Sequence, residues 1–453
     1  MSAGLVPAVD EPVASPSAVL TEDPLELLTQ RRRGGAPRGT HRMAALCHEL
    51  GDPQVRLPTI HVAGTDGKTS TVRIIASLLH ALGYRSGETT SPHLQDVTER
   101  IRIGGVPVAR TELLAHLPGL EAAIERAETG VAETVTFFEA ITALALRVFE
   151  DRQVDAAVVE AGIGGRGDAS NIVRARVSVL SRIGLDHVEL GSSLHEIATE
   201  KAGIVEPGST LITSAQLPEA ARAIEGVVTQ RGASLLRAGR DFGVLTRRPI
   251  PGGQLLGLRG LDGSYLRGRL PLTGQHQAAN AAVALAAVQR FLGTTDLDPA
   301  GLRAGLAAVS VPGRVEVIRP HEGPPVVLDG AHDLDAVRAL LTAVREALQP
   351  ASVTLILGTS GARDPEPLLA ELDGLAPSVI VTQAATPTST PVEELAERLR
   401  GAGRMPAVAI DPTQALGMAV RETSPDGLVI VTGSLHLVGE VRSVLTDEHG
   451  PGP

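Results

Sequence analysis

The residues best placed to do chemistry in this chain are His61-Val62-Ala63-Gly64-Thr65-Asp66-Gly67-Lys68-Thr69-Ser70-Thr71. Gly64 and Gly67 permit a tight loop whose N–H groups converge on an anion, and a helix starting just after it adds a partial positive charge. Lys68 would reach the outer phosphates of a nucleotide, and Thr69 or Ser70 could contact Mg2+ or a phosphate oxygen. The longer phosphate-loop pattern requires glycine at position 62, where this chain has valine; the shorter Gly-Thr-x-Gly-Lys-Thr form stands here. The competing reading is an ordinary tight turn before a helix. The flanks favour a nucleotide: Val55 to Ile60 reads as a strand entering the core, and Val72 to Leu82 has apolar residues at helical spacing. Asp66 is out of character, because a carboxylate beside a triphosphate repels it unless Mg2+ or a lysine intervenes.

Other chemical residues follow predicted strand ends: Ser91, Glu160 and Asp186-His187, with Glu200-Lys201 on a predicted helix over 193–203. Each has an ordinary explanation when taken alone. Glu160 could be a buried ion-pair partner, and His187 a satisfied core histidine. Together, Ser91, Glu160 and His187 fall on the same side as the phosphate loop. Hard oxygen ligands plus one imidazole beside a triphosphate suit Mg2+ or Mn2+. Gly162-Ile163-Gly164-Gly165-Arg166-Gly167 resembles a dinucleotide fingerprint, but Asp168-Ala169-Ser170-Asn171 follows it where a helix should start, which disfavours NAD.

These residues need a scaffold of strands alternating with helices. Strands are predicted over 84–90, 154–160 and 177–183, and helices over 40–50, 111–128 and 135–150. This alternation implies a parallel sheet with a ligand crevice at its carboxyl edge. Residues 241–272 are Gly-rich and alternating, so they read as hairpins. Helices follow over 275–292 and 298–308, then Val311-Pro312-Gly313-Arg314 reads as a hinge. Beyond it, strands at 325–329, 352–358, 378–382 and 427–432 alternate with helices at 333–348, 365–374, 392–400, 413–422 and 435–445. Arg31-Arg32-Arg33 reads as a basic linker, or as a flexible arm over an anionic substrate.

Composition narrows the class. With 453 residues, two domains are the expectation. Aromatics are 2% with no Trp, so the cores must be aliphatic, and base-stacking platforms for single-stranded nucleic acid are disfavoured. A net charge of −11 speaks against nucleic acid and anionic membranes as partners. One cysteine, Cys47, excludes an intrachain disulfide and Cys-rich metal sites. No signal peptide and no apolar run of about 18 residues is found, so a cytoplasmic enzyme is expected.

From about residue 40 to 445 the chain resembles the folylpolyglutamate synthase/dihydrofolate synthase family, within the Mur ligase superfamily. The resemblance is carried by His61–Thr71, Thr90–Ile103, Thr136–Ala143, Val159–Val173, Gly184–Ile204, Gly274–Ala281, Pro312–Glu316, Leu328–Asp333 and Thr432–Gly439, in the family's order. It implies a two-domain Mur-ligase-like α/β architecture, a P-loop parallel-sheet ATPase domain followed by a smaller Rossmann-like α/β domain. The expected boundaries are a disordered tail over 1–24, an ATP-binding and acid-substrate domain over 25–310, a glutamate-ligase domain over 311–446 and a tail over 447–453. It also implies roles. Gly64, Thr65, Gly67, Lys68, Thr69 and Ser70 surround the phosphates. Ser91 and Glu160 hold Mg2+, and Glu160 shares a second divalent ion with His187. Lys201 matches a lysine that is carbamylated in the family. Asn280 approaches the adenine, and Arg314 contacts phosphate from the domain junction. Asp329 and His332 complete the nucleotide site and the glutamate side, and Ser434 lies near the incoming amino acid.

The implied activity is ATP-dependent ligation of L-glutamate to dihydropteroate or a reduced folate, with Lys68, Glu160, His187, Lys201, Arg314 and His332 as the catalytic set, in a monomer. The sequence departs from the family at several points. Asp66 and Asp333 each replace a usual Asn, and Leu334 a frequent proline. Gly167 replaces a bulkier residue, and Arg363-Asp364 stands where Lys-Asp is common. These departures motivate one alternative, a divergent Mur-type ligase joining an amino acid to another carboxylic acid. Another alternative, a silent nucleotide-binding module, is opposed by the retention of Lys68, Glu160, His187, Lys201 and Arg314 together.

Overall fold

A computed structural model of the chain describes residues 23–31, 38–185, 188–361, 364–375 and 377–447. The first sheet has the order β4-β3-β2-β5-β1-β6-β7-β8. Its strands are β1 (Thr59–Ala63), β2 (Ser86–Thr89), β3 (Ile101–Ile103), β4 (Val106–Pro107), β5 (Ala156–Glu160), β6 (Ala175–Leu180), β7 (Thr210–Thr213) and β8 (Ser234–Arg237). β1 lies between β5 and β6 and pairs with both in parallel. All five residues of β1 and of β5 are buried, as a strand covered on both faces requires. Antiparallel pairing appears only at one margin, where β3 joins β2 and β4.

One face of this sheet packs Ile60 and Val62 against the helices Lys68–Ala81 and Gln275–Leu292. The other packs Ala157 and Val159 against the helices His41–Glu49, Arg110–Val131 and Phe137–Asp151. The last of these starts at a capping box in which Thr136 and Glu139 satisfy each other's backbone N–H groups. Small side chains do the work that aromatics do elsewhere. Six alanines of Gln275–Leu292 are buried in the core cluster. A Cβ at Gly305 would stand 2.9 Å from Leu78 Cα, so that glycine lets the helix Pro299–Ala307 approach Lys68–Ala81 closely.

A meander of β9 (Gly243–Ile250), β10 (Gly253–Arg259) and β11 (Tyr265–Leu270) forms a separate antiparallel sheet. The third sheet has the order β12-β13-β17-β14-β15-β16, from β12 (Glu316–Ile318), β13 (Val326–Leu328), β14 (Val353–Leu357), β15 (Ser378–Val381), β16 (Ala407–Val408) and β17 (Leu428–Thr432). Apart from the antiparallel β12–β13 pair it is parallel.

Several expectations need correction. Val55 and Arg56 belong to a helical turn, Pro53–Arg56, and the strand starts only at Thr59. Proline at the first helical position favours that turn, and Pro58 has no N–H to give a sheet. The unassigned stretch 204–240 holds β7, the helix Pro218–Gln230 and β8. Pro24 is not tail but the first residue of a helix, Pro24–Thr29, capped by Asp23, which accepts a hydrogen bond from Leu25 N at 2.9 Å. Asp447 ends the last helix, Leu435–Asp447. The remaining tail residues, 1–22 and 448–453, lie outside the described residues, as do Arg32 and Arg33. Among the described residues no helix is long and apolar enough to cross a membrane.

Candidate active site

The carboxyl ends of β1, β5 and β6 deliver the phosphate loop, Glu160 and Ser181 to one edge. Two glycines are sterically required there. Gly64 has φ +146, and a Cβ on it would overlap Ser181 Oγ. Gly67 has φ +82, and a Cβ on it would stand 2.7 Å from Asn280 Oδ1. Asn280, whose amide also donates to Gln277 Oε1 at 3.2 Å, therefore buttresses the loop from the helix Gln275–Leu292. Lys68 Nζ donates to Gly64 O (3.1 Å) and Thr65 O (3.0 Å). Lys201 is buried and its Nζ donates to the same Gly64 carbonyl at 2.8 Å. Two ammonium groups on one carbonyl create a concentrated positive field that an arriving phosphate would relieve.

Glu160, the last residue of β5, is buried. Its carboxylate accepts from Thr69 Oγ1 at 3.0 and 3.1 Å and from Ser91 N at 3.3 Å. Burial pushes its pKa up, against the charges of Lys68 and Arg314 and these two hydrogen bonds. Among the described residues no cluster of three His, Cys, Asp or Glu could cage a metal. The arrangement suits Mg2+ instead. One buried carboxylate with hydroxyls beside it leaves room for water and phosphate oxygens, which that ion prefers. His187, expected as a further ligand, lies outside the described residues. Ser70 is buried in the first turn of the helix Lys68–Ala81.

The third sheet brings its own groups to this edge. Asp329 accepts from Val315 N and Ala331 N, each at 2.8 Å, and so ties the hinge to the loop after β13. Burial raises its pKa, while the Arg314 charge lowers it. Arg314 thus bears on both Asp329 and Glu160. His332 donates Nδ1–H to Gly330 O at 2.8 Å. Buried Ser434 lies 3.4 Å from Ser360 Oγ. Between the two halves opens a cleft of about 550 Å3 with Thr65, Asp66 and Arg182 on one wall and His332, Asp333 and Asp335 on the other. Arg182 crosses it to Asp335 at 2.9 Å. Asp66 has its pKa pushed up to about 6 by burial and by Asp333, with Lys68 and Arg182 opposing.

Residues 62–288 match the Mur ligase middle domain, and residues 313–435 match the Mur ligase, glutamate ligase domain. The dihydrofolate synthase/folylpolyglutamate synthase of Mycobacterium tuberculosis is 36% identical over 435 residues, covering 89% of each chain. This chain belongs to the folylpolyglutamate synthase/dihydrofolate synthase family. The folylpolyglutamate synthase of Lacticaseibacillus casei is likewise 36% identical, over 90% of this chain and 95% of its own. The fold is that of the family: the Mycobacterium tuberculosis folylpolyglutamate synthase complexed with ADP superposes with a TM-score of 0.87, at 36% identity, over 94% of this chain and 98% of that one. An FPGS–AMPPCP–folate complex gives 0.81 at 32% identity, over 93% and 98%.

Of the residues singled out by sequence, the structure gathers Gly64, Thr65, Gly67, Lys68, Thr69, Ser91, Glu160 and Lys201 around the loop, with Asn280 behind it and Arg314 across from it. His61, at the head of the same motif, is turned away. It is fully buried, held at 2.7 Å to Ser170 Oγ, and burial pushes its pKa down to about 3. Sequence reading missed the direct Thr69–Glu160 bond, the Arg182–Asp335 bridge and the meeting of Asp66 with Asp333. The last had a signal, since both positions depart from Asn in the family.

Proposed function

We propose that the chain is an ATP- and Mg2+-dependent amide ligase that adds L-glutamate to dihydropteroate, to tetrahydrofolate, or to both, through an acyl phosphate. The observation that carries the reading is the convergence of Lys68 and Lys201 on Gly64 O beside buried Glu160, in a chain of this family. A carboxylate is a poor acyl donor because its leaving group would be oxide. Transfer of the γ-phosphoryl group to the acid makes an acyl phosphate and releases ADP. The glutamate amine then attacks the carbonyl carbon, the C–O bond to phosphate breaks, inorganic phosphate leaves, and the nitrogen gives up a proton.

Each residue has a part in that sequence. The loop N–H groups, Lys68 and the helix N-terminus hold the phosphates and offset charge as it moves. Arg314 reaches the same charge from the hinge. Glu160, Ser91 and His187, with Thr69 at the Glu160 carboxylate, would hold Mg2+, which supplies Lewis-acid neutralisation of the phosphate oxygens. Asn280 supports the loop from the helix behind it, and Asp329 fixes the hinge that carries Arg314. His332 and Ser434 face the incoming glutamate. Closing the cleft between the sheets excludes water that would hydrolyse the acyl phosphate. Carbamylation of Lys201 would replace a buried ammonium with an anion next to the metal site, and intact-protein mass after incubation with labelled bicarbonate tests it. Both halves of the site lie in one chain, which supports a monomer, and the substrates support a cytoplasmic setting.

The test is ATP-dependent phosphate release with Mg2+ and L-glutamate, comparing dihydropteroate, tetrahydrofolate and no acceptor, with products read by mass spectrometry. Gain of one glutamate mass on dihydropteroate supports the synthase activity, and gain on tetrahydrofolate the polyglutamating one. A divergent ligase acting on another acid is favoured by the Asp66–Asp333 encounter. Intact ATP binding with no product from either acceptor would bring it forward.

A further inference from the structure

His61 opens the phosphate-loop motif, yet its side chain leaves the loop. It faces the opposite side of β1 from Ile60 and Val62 and is fully buried. Its Nε2 stands 2.7 Å from Ser170 Oγ, and Ser170 Oγ donates its one proton to Asp168 Oδ1 at 2.5 Å. A hydroxyl that has given its proton away can only accept, so the imidazole donates and carries its own proton on Nε2. Nδ1 is then a bare lone pair, buried and without a hydrogen-bond partner. Such a group costs free energy in a core that a leucine would fill without loss. A local choice that opposes burial in this way marks a position held for something else.

The bonds that start at His61 return to the phosphate loop. Asp168 is buried and also accepts from Ser170 N and Ile163 N, each at 2.9 Å, and from Gly162 N. It thereby fixes the loop 162–168 after β5. That loop in turn clamps the segment that carries Lys201. Arg166 N donates to Glu200 O at 2.9 Å, and Gly167 N to Glu200 Oε1 at 3.0 Å. Asn171 Nδ2 donates to Gly203 O at 3.3 Å. A Cβ on Gly165 would stand 2.5 Å from Lys201 O, and one on Gly203 would overlap Arg166 Cβ, so two glycines let the segments touch. Lys201 Nζ then reaches Gly64 O at 2.8 Å, three residues after His61.

We propose that His61 is a positioning residue for the ligation: through Ser170 and Asp168 it fixes the 162–168 loop, and that loop sets Lys201 against the Gly64 carbonyl. The proposal rests on the ligase reading above. Lys201 ends a helix of only eight residues, Leu194–Lys201, too short to hold its own place. Ala198 and Ala202 pack that segment against the core, but apolar contact is non-directional. The hydrogen bonds to Glu200 and Gly203 set its position along the sheet edge, and they are only as firm as the loop that makes them. The imidazole moves no proton, since burial holds its pKa at about 3 and the ring stays neutral. What it supplies is one fixed N–H, without which the Ser170 hydroxyl keeps an unsatisfied lone pair in the core.

The experiment uses the full chain with His61→Leu, Ser170→Ala, the two together, and His61→Gln, whose side-chain amide restores an N–H donor. Amide exchange is followed by mass spectrometry, kcat and KM for ATP by phosphate release, and ADP affinity by calorimetry. In His61→Leu and in Ser170→Ala, exchange should quicken at least about fivefold over 162–171 and 199–204 and stay unchanged across the third sheet, which serves as the folding control. In both, kcat should fall about tenfold or more, while KM for ATP and ADP affinity change less than about twofold. The double variant should be no worse than either single one, because both cut the same chain of bonds. His61→Gln should restore kcat to within about threefold of wild type. An unchanged kcat in His61→Leu would overturn the proposal, as would unchanged exchange over 199–204, losses that multiply in the double variant, or a Gln variant no better than the Leu one. If His61→Leu does not fold, Ser170→Ala set against His61→Gln gives the same comparison. Should the wild type release no phosphate with any acceptor, the ligase reading fails by itself. Exchange over 199–204 then decides the positioning: quickening in His61→Leu that His61→Gln reverses supports it, and no change overturns it.

Discussion

Replacing Asp66 by Asn should make nucleotide binding tighter, and only above about pH 6. Asp66 lies in the phosphate loop with Lys68 two residues on, Asp333 across the cleft, and Arg182 and Asp335 beside it. A Cβ placed on Gly184 would have Asp335 Oδ2 at 3.4 Å and Asp66 Oδ2 at 3.9 Å, so the two carboxylates share one corner of the cleft. Burial and these acids raise the Asp66 pKa from 3.8 to about 6. That shift corresponds to about 3 kcal/mol. Because the folded pKa is the higher one, the native state keeps a proton that the unfolded chain has released. The resulting stability is full below 3.8 and is lost as pH rises through 6. Bound phosphates add like charge and occupy Lys68, which now holds the pKa down. A unit charge at about 7 Å and an effective dielectric of about 20 is worth roughly 2 kcal/mol, so nucleotide should carry the pKa up by another unit or more. Calorimetric titration with ADP, without divalent ions, over pH 5 to 8.5 measures this. The ratio of Asp66→Asn to wild-type affinity should be near one at pH 5 and about tenfold or more at pH 8. Phosphate ionisation of the nucleotide cancels in the ratio. A ratio that stays flat with pH, or wild type binding more tightly at pH 8, would refute the reasoning.

Glu160→Gln keeps the shape of the site and removes a charge that burial disfavours. Metal-free melting temperature should hold or rise, while ligation falls by about a hundredfold or more, read by phosphate release. Gly67→Ala forces a side chain into positive φ against the Asn280 amide. Nucleotide affinity should drop at least about tenfold, roughly the effect of 1–2 kcal/mol of backbone strain, with far-UV circular dichroism unchanged. Lys201→Met takes one of two donors from Gly64 O and should cost about 1–2 kcal/mol in chemical denaturation as well as abolishing product.

Much of this protein was legible from the chain because the informative signals are local. The glycine spacing of 64–67, the helical period after Lys68 and the apolar runs of β5 and β6 each follow from a few consecutive residues, and positive φ at Gly64 and Gly67 is a local demand. The family resemblance then pointed to Glu160, Lys201, Arg314 and Asp329, which the fold brings to the same edge. The short strands β7 and β8 were not legible. A four-residue buried strand such as Thr210–Thr213 has no period to detect. The Pro53–Arg56 turn was also hidden, since a one-turn helix and a strand start look alike over four residues.

Tertiary structure decided what depends on residues far apart in sequence. His61 and Lys68 stand seven residues apart in one motif, yet strand alternation turns His61 into the core and helix geometry turns Lys68 back onto the loop carbonyls of Gly64 and Thr65. Lys68 and Lys201 meet on one carbonyl only because β1 lies next to β6 in the sheet and the helix carrying Lys201 packs over that edge. Asp66 and Asp333 are separate oddities in the chain, and only the packing of the third sheet against the first makes them one electrostatic feature. Loop chemistry and periodicity are written in neighbouring residues, while charge environment is set by whatever the fold brings within a few ångströms.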